Sequence, residues 1–415
     1  MGGRLFFYQE FMGCCYTKKE DVQMEYEIRL FDTPLLRFDA DPQSVDGAVE
    51  VVWVDGDRQG LLPIGMDATG EGVSSWIRHR AIPKNRAFVS TFLAKSGLSV
   101  NRPLGIIAVC KGLSLNDCYW VVPSGSADTF GKVNLYENPM SRLLAEIAFT
   151  GYGSSVRASF GSSPEFTTNG MLPKCWRRIN KKIYLYKGGT SGFANTGFEP
   201  YSEYYAADVA DAIGISHVDY QLHIWKGTLC SSCELFSSKE RSFVSAANLV
   251  KTGGFPAVVE FYKALDEPYQ QAFSDMVAFD ALIGNTDRHM NNYGFMVDSE
   301  TNQIVAPAPL FDHGNSLFHQ AFGDDWSSLE ALEAYAAAQR PCMYADFFET
   351  AKQVMTHETR SKVRRALNFS FTRKPIKGFP AQRLKLLEEM IRVRAAKLLE
   401  YPLACGCIVL GRRMP

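Results

Sequence analysis

Alternation and helical spacing of apolar positions divide this chain into a strand-rich part followed by a helix-rich part. Met24 opens EYEIRLF, where apolar and polar side chains alternate with the period of a half-buried strand. Short β-type runs continue to about residue 150, among them residues 51–54 and 106–109, broken by Gly, Pro and Asp turn positions. Residues 76–86, WIRHRAIPKNR, carry no clean period and read as a polar loop. Residues 1–24 mix aromatics, Cys14, Cys15 and a charged run, also without a period. They read either as a disordered leader or as an extension upstream of a start at Met24.

Between Phe160 and Gly189 the composition shifts to Gly, Ser, Thr, Lys and Arg and ends in the strand-like run IYLYK. The following stretch, PYSEYYAADVADAIG, places Tyr201, Tyr205, Val209 and Ile213 one turn apart, a helix with Pro200 at its start. From about Glu260 the spacing is mostly helical. EPYQQAFSDMVAFDALIG carries Phe273, Met276, Val277 and Leu282 on one face. Ser327 with Glu330 forms a capping-box pattern before LEALEAYAAAQ, and a last helix runs from near Pro380 to Glu400. Strands first and helices afterwards predict an α+β chain in two lobes with a cleft between them.

Composition narrows the function classes. Over 415 residues, 44 Lys and Arg against 45 Asp and Glu leave a formal charge of -1, which removes the long-range attraction a basic protein has for nucleic acid or anionic lipid. No apolar run is long enough to span a bilayer, and the start lacks a signal pattern, so a cytoplasmic protein with no membrane association is expected. Its 10 cysteines are too dilute for a disulfide framework. The Cys230/Cys233 and Cys405/Cys407 pairs are a weak zinc pattern, and ordinary reduced thiols are the preferred reading.

The chemistry concentrates in LIGNTDRHMNNYGFMVD and the later APLFDHG. Asp287, His289, Asn292 and Asp312 are too polar to bury without partners, so they are expected to line a wet cleft. Phosphoryl transfer explains the residue types: one carboxylate accepts the proton of an attacking hydroxyl, and further oxygen ligands hold magnesium against phosphates. Asp287 suits the first role. Asn292 follows it at the offset that separates catalytic Asp from metal-binding Asn in protein kinases, and Asp312 supplies a second metal ligand. Each residue alone has an ordinary use, Asp287 in a turn and Asp312 at a loop start; the combination is far rarer. His289 reads as a brace for the loop more than as a proton carrier.

NTDRHMNN with PLFDHG resembles the HipA-like kinases, and its DRHxxN core is also similar to the phosphatidylinositol 3- and 4-kinases. The resemblance implies a bilobal protein-kinase-like fold with a β-containing N-lobe and a mostly helical C-lobe. It implies catalytic Asp287 and His289, and metal-binding Asn292 and Asp312. It places Gly170 and Lys174 of TTNGMLPKCW in the phosphate loop, Lys187 of IYLYK on the nucleotide phosphates, and Glu203 of EPYSEYY as the partner of that Lys. CELFSS resembles the family's hinge and puts adenine against the backbone around Glu234 to Phe236, although the Arg and Asp of that hinge are absent. Thr167 and Thr168 sit where family members carry a regulatory phosphorylated hydroxyl.

The resemblance covers roughly residues 160–400 and leaves 25–150 without a matching segment. The expected organisation is therefore 1–24 leader, 25–150 β-rich region, 151–240 kinase N-lobe and 241–415 helical C-lobe. The implied function is an ATP- and Mg2+-dependent Ser/Thr protein kinase acting on an unknown protein substrate, with a toxin role beside a DNA-binding antitoxin partner. The alternatives are a nucleotide-binding pseudokinase or interaction module, and a lipid kinase. A basic stretch from Arg360 to Lys377 reads either as a nucleic-acid or acidic-protein contact or, preferably, as a solvated helix face neutralised by Asp324, Asp325, Glu330 and Glu333.

Overall fold

The structure, a computed structural model, describes residues 23–45, 48–153, 163–192, 197–374 and 378–400. The leader up to residue 22, Lys377 and the Cys405/Cys407 pair lie outside them.

The first part of the chain builds its own core. Strands β1 (Met24–Leu30), β2 (Thr33–Ala40), β3 (Val49–Val54) and β4 (Tyr119–Pro123) form an antiparallel sheet in the order β3-β2-β1-β4. Ile28 lies opposite both Leu36 and Val121, which puts these apolar residues at the sheet centre. Around the sheet lie α1 (Gly70–Arg80), α2 (Val89–Lys95), α3 (Pro103–Cys110), α4 (Phe130–Val133) and α5 (Arg142–Thr150). This part is mixed α/β and not the β-rich region expected.

Two misreadings account for the difference. Residues 106–109 belong to α3, which begins at Pro103 and buries Leu104, Ile106, Ile107 and Cys110. A short run apolar on every side does not distinguish a buried strand from a buried helix. Residues 76–80 are the second half of α1, capped by Thr69, whose hydroxyl accepts from Gly72 N. Its inner face is Val73, Ile77 and Arg80, and the buried Arg80 pairs with Asp117 at 2.6 Å. A charged side chain turned inward hides the helical period.

Next come β5 (Lys174–Ile179), β6 (Lys182–Gly188), α6 (Glu199–Ile213), β7 (Tyr220–Trp225) and β8 (Thr228–Glu234), with sheet order β5-β6-β8-β7 and α6 packed on β7 and β8. Cys230 and Cys233 stand three residues apart on β8, on opposite faces of the strand. A third sheet, β11-β10-β9, comprises β9 (Arg241–Ser245), β10 (Gly294–Asp298) and β11 (Ile304–Pro307).

The remainder is helical: α7 (Ala246–Leu249), α8 (Gly254–Lys263), α9 (Glu267–Ile283), α10 (Leu329–Ala338), α11 (Phe347–Val354), α12 (His357–Arg364) and α13 (Ala381–Glu400). Phe279, Leu282 and Ile283 of α9 share a core with Leu387, Ile391 and Leu398 of α13. The cap of α10 is Ser328, whose hydroxyl accepts from Ala331 N at 3.2 Å, not Ser327. None of the described helices is long and apolar enough to cross a membrane.

The first part docks on both others. Arg178 of β5 donates to Leu135 O at 2.9 Å. Phe243 N of β9 donates to Asn116 O at 2.7 Å, and the Asn302 amide in the β10–β11 turn donates to Leu62 O at 2.9 Å.

Candidate active site

Lys187 lies near the end of β6, paired across the sheet with Lys174 on β5 and Ser231 on β8. Strand alternation therefore puts both lysines on the sheet face that α6 covers. Its ammonium meets Glu203 Oε1 of α6 at 2.6 Å and also pairs with Asp312 Oδ1. The Ser231 hydroxyl donates to the other Glu203 oxygen. Glu203 is 1% exposed, whereas the Asp312 side chain is 33% exposed, so the cluster runs from the interior to an opening. Burial depresses the Lys187 ammonium, but Asp312 and Glu203 outweigh it and leave its pKa raised. Asp312 is held well below the carboxylate range: burial opposes ionisation, and Lys187 and Lys174 overcome it.

Asp312 itself adopts the left-handed backbone at φ 59, and its N–H donates to the Tyr220 hydroxyl at 2.9 Å. Asp tolerates this conformation better than most residues, yet its position at the lysine cluster marks a fixed turn. Gly314 follows two residues later and lies against Glu199, Glu203 and Lys187, where an added Cβ would meet them at ordinary contact distance.

The second group hangs from the end of α9. Gly284 closes that helix at φ 64, where a Cβ would also strike Phe318, and the chain turns directly into Asn285 and Asp287. Asn285 Oδ1 accepts from Asp287 N at 3.1 Å, and Asn315 Nδ2 donates to Asp287 Oδ2 at 2.9 Å. Asn292 Nδ2 donates to Asp287 O at 3.1 Å, which leaves the amide oxygen as its acceptor end. His289 Nδ1 accepts from Asn291 N at 3.3 Å, a contact within the turn.

Arg288 holds this loop together and escaped the sequence reading. It is 2% exposed and pairs through two nitrogens with fully buried Asp280, at 2.9 and 3.0 Å. The same guanidinium donates to Asn292 O at 3.0 Å and Phe311 O at 2.6 Å, and lies 3.1 Å from His313 Nδ1. Because arginine can only donate, Nδ1 accepts and the imidazole proton sits on Nε2. Burial and the Arg288 charge keep His313 neutral, far below its usual pKa. Its signal in the sequence is slight: one charged residue between Asp287 and His289. Asn315 and Ser231 carry no pattern at all.

The remaining expected residues divide. Gly170, at φ 93, is packed against the Lys174 side chain, whose Nζ donates to Asn169 O at 2.8 Å. Burial and neighbouring Lys187 pull the Lys174 pKa down to about 7. Thr167 Oγ1 donates to Leu113 O at 2.7 Å, and Thr168 Oγ1 to Pro164 O at 2.6 Å. Glu234 is exposed and pairs with Lys182 at 2.8 Å, away from the lysine cluster. Phe236 packs on Phe243 and on Phe311, the residue before Asp312.

Other cations are spent elsewhere. Arg177 stacks over Tyr186 and Trp225, at 4.6 and 4.9 Å from the ring centres. In the basic stretch from residue 360, Lys362 pairs with Asp275 and Glu358, and Arg373 with Asp211 and Asp219. The neutralising acids are thus different from those the sequence suggested.

A strand lysine held by a helix glutamate, beside a helical half presenting Asp, Asn and a second Asp, belongs to the class of bilobal kinase-like folds. More particularly, the fold is HipA-like. A chain of the Shewanella oneidensis MR-1 toxin–antitoxin complex of HipA, HipB and operator DNA superposes with a TM-score of 0.53 at 14% identity, covering 91% of this chain and 98% of that one. In sequence, the chain is similar to the serine/threonine-protein kinase CtkA of Helicobacter pylori, 29% identical over 135 residues, which is 29% of this chain and 41% of the relative. The match thus spans about two fifths of that relative's length. The crystal structure of the Helicobacter pylori proinflammatory kinase CtkA aligns with 55% of this chain and 92% of its own at a TM-score of 0.45 and 20% identity. No family model matches the sequence.

Proposed function

We propose that the chain is an ATP- and Mg2+-dependent Ser/Thr protein kinase of the HipA-like type. The observation that carries this reading is Lys187 bridging the buried Glu203 and the partly exposed Asp312. A kinase uses this ion pair to set a point charge against the nucleotide phosphates.

The donor set fits magnesium. Asp312 is kept ionised by the lysines, and Asn292, with its nitrogen committed to Asp287 O, offers oxygen. Hard cations take such oxygen ligands. Magnesium held there would neutralise phosphate charge. Lys187 and Lys174 contact the phosphates, and the backbone at Glu234 to Phe236 takes the adenine. Asp287, with Oδ2 fixed by Asn315, accepts the proton of the substrate hydroxyl at Oδ1. His289 braces the turn. The complex containing HipB motivates a DNA-binding antitoxin partner encoded beside this chain.

Purified protein with labelled ATP and Mg2+ is expected to label itself or a protein acceptor. Asp287→Asn should lower incorporation about a hundredfold or more while leaving nucleotide binding intact. Equal incorporation by both proteins overturns the reading. Nucleotide binding without turnover in wild type points instead to a binding module, and labelling of phosphoinositide alone to a lipid kinase.

A further inference from the structure

The first part of the chain has no kinase role assigned, yet it grips the loop that carries Gly170 and Lys174. Arg86, in the segment after α1, is 3% exposed. Its Nη1 donates to Thr168 O at 2.9 Å and Glu165 O at 3.4 Å, and its Nη2 to Lys174 O at 2.5 Å. One planar guanidinium therefore ties the leg of the loop before Gly170 to the leg after it.

Flanking contacts come from the same region. Ile82 N donates to Phe166 O at 2.7 Å and Ala87 N to Met171 O at 2.8 Å. Phe92 of α2 packs at a tilt against Phe166, 4.8 Å between ring centres. Burying a guanidinium is costly, and a residue serving only to pack would be replaced by an apolar one at no loss. Here its bonds go to main-chain oxygens of a single loop. A loop ordered before the ligand arrives spares binding the entropy of ordering it.

We propose that the amino-terminal part acts within the same chain as a clamp that holds the phosphate-facing loop in its binding shape, with Arg86 as a positioning residue for nucleotide. This rests on the kinase reading for the identity of the ligand, but not for the clamp itself.

The test uses the whole 415-residue chain and the variants Arg86→Ala, Arg86→Lys and Lys84→Ala, the last an exposed neighbour on the same segment. Amide hydrogen exchange of residues 168–174 and affinity for a fluorescent ATP analogue are measured on each, with KM for ATP and kcat where turnover is found. For Arg86→Ala we expect loop exchange faster, and KM for ATP higher, by about tenfold or more, with kcat within about twofold. Millimolar guanidinium should restore part of the affinity, and Lys84→Ala should behave as wild type.

Unchanged loop exchange in a folded Arg86→Ala overturns the proposal, as does uniform acceleration of exchange throughout the protein. If Arg86→Ala does not fold, Arg86→Lys, which keeps the charge but cannot reach three carbonyls, decides in the same way. If wild type binds no ATP, the kinase reading falls while the exchange measurement still decides the clamp.

Discussion

Replacing Arg288 by Met should damage the protein more than any change to the expected catalytic residues. The side chain is buried and its partner Asp280 is fully enclosed, so the variant strands a carboxylate without a counter-charge. Breaking a buried pair from one side costs roughly 3–5 kcal/mol, and orphaned acceptors at Asn292 O and Phe311 O add to it. With about 2–4 °C of melting temperature per kcal/mol for a domain of 150–250 residues, a fall of about 10 °C or more is expected. Burial already raises the Asp280 pKa even with Arg288 present. Without the guanidinium it rises further, and the folded variant holds a proton that the unfolded chain releases. Its stability should then drop as pH rises from the ordinary carboxylate range toward the raised folded value, over a wider pH span than in wild type. Thermal melts at several pH values, with Arg288→Met, Asp280→Leu and the double variant, measure all of this. The double variant should recover most of the loss. A single variant that melts within about 2 °C of wild type at every pH, or singles that simply add, would refute the reasoning.

Four further outcomes follow from the site. Lys174 has its pKa drawn down to about 7, so ATP affinity should weaken as pH rises from 6 to 8.5 and its charge is lost, and Lys174→Arg should flatten that profile in a binding titration. The same depressed ammonium penalises folding below about pH 7 and ceases to do so as pH climbs toward its unfolded value, so Lys174→Met should gain stability mainly at low pH in thermal melts. Asn315→Ala releases one Asp287 oxygen and should lower kcat about tenfold to a hundredfold with little change in KM for ATP, measured by steady-state kinetics. Ser328→Ala should cost about 1 kcal/mol of stability through loss of the α10 cap, and Ser327→Ala much less, read from paired melts.

What the sequence could show depended on whether a residue acts through its own side-chain type. Asp287, Asn292 and Asp312 could be singled out because phosphate and metal chemistry uses those types at that spacing, and Lys187 and Glu203 through the resemblance; the structure joins Lys187, Glu203 and Asp312 directly. The helices at Glu199–Ile213, Glu267–Ile283 and Ala381–Glu400 were equally visible, since each keeps an apolar stripe. The first part was misread where that stripe failed: Arg80 faces inward on α1, and α3 is apolar all round. Ser327 and Ser328 both satisfy a capping pattern, and only the backbone chooses between them. Arg86 and Arg288 stayed hidden because they bind main-chain oxygens, which every residue supplies alike.

The charge distribution gives the near-neutral total its meaning. Of the cations between residues 174 and 187, the cross-strand partners Lys174 and Lys187 reach the site, while Arg177 stacks on rings, Arg178 binds the first part and Lys182 pairs with Glu234. Against these two lysines stand Glu203, Asp312 and Asp287, so this group of residues by itself is slightly anionic. A nucleotide triphosphate brings several more negative charges, and two lysines, one of them poised to lose its proton, cannot balance them. Among the described residues no cluster of three His, Cys, Asp or Glu forms a ready metal cage. One aspartate and one asparagine make a weak site by themselves, and phosphate oxygens together with water would complete the shell, the manner in which magnesium is held in kinases. Nucleotide and metal are therefore expected to bind with mutual reinforcement, each supplying what the other lacks, onto a loop that Arg86 keeps in place.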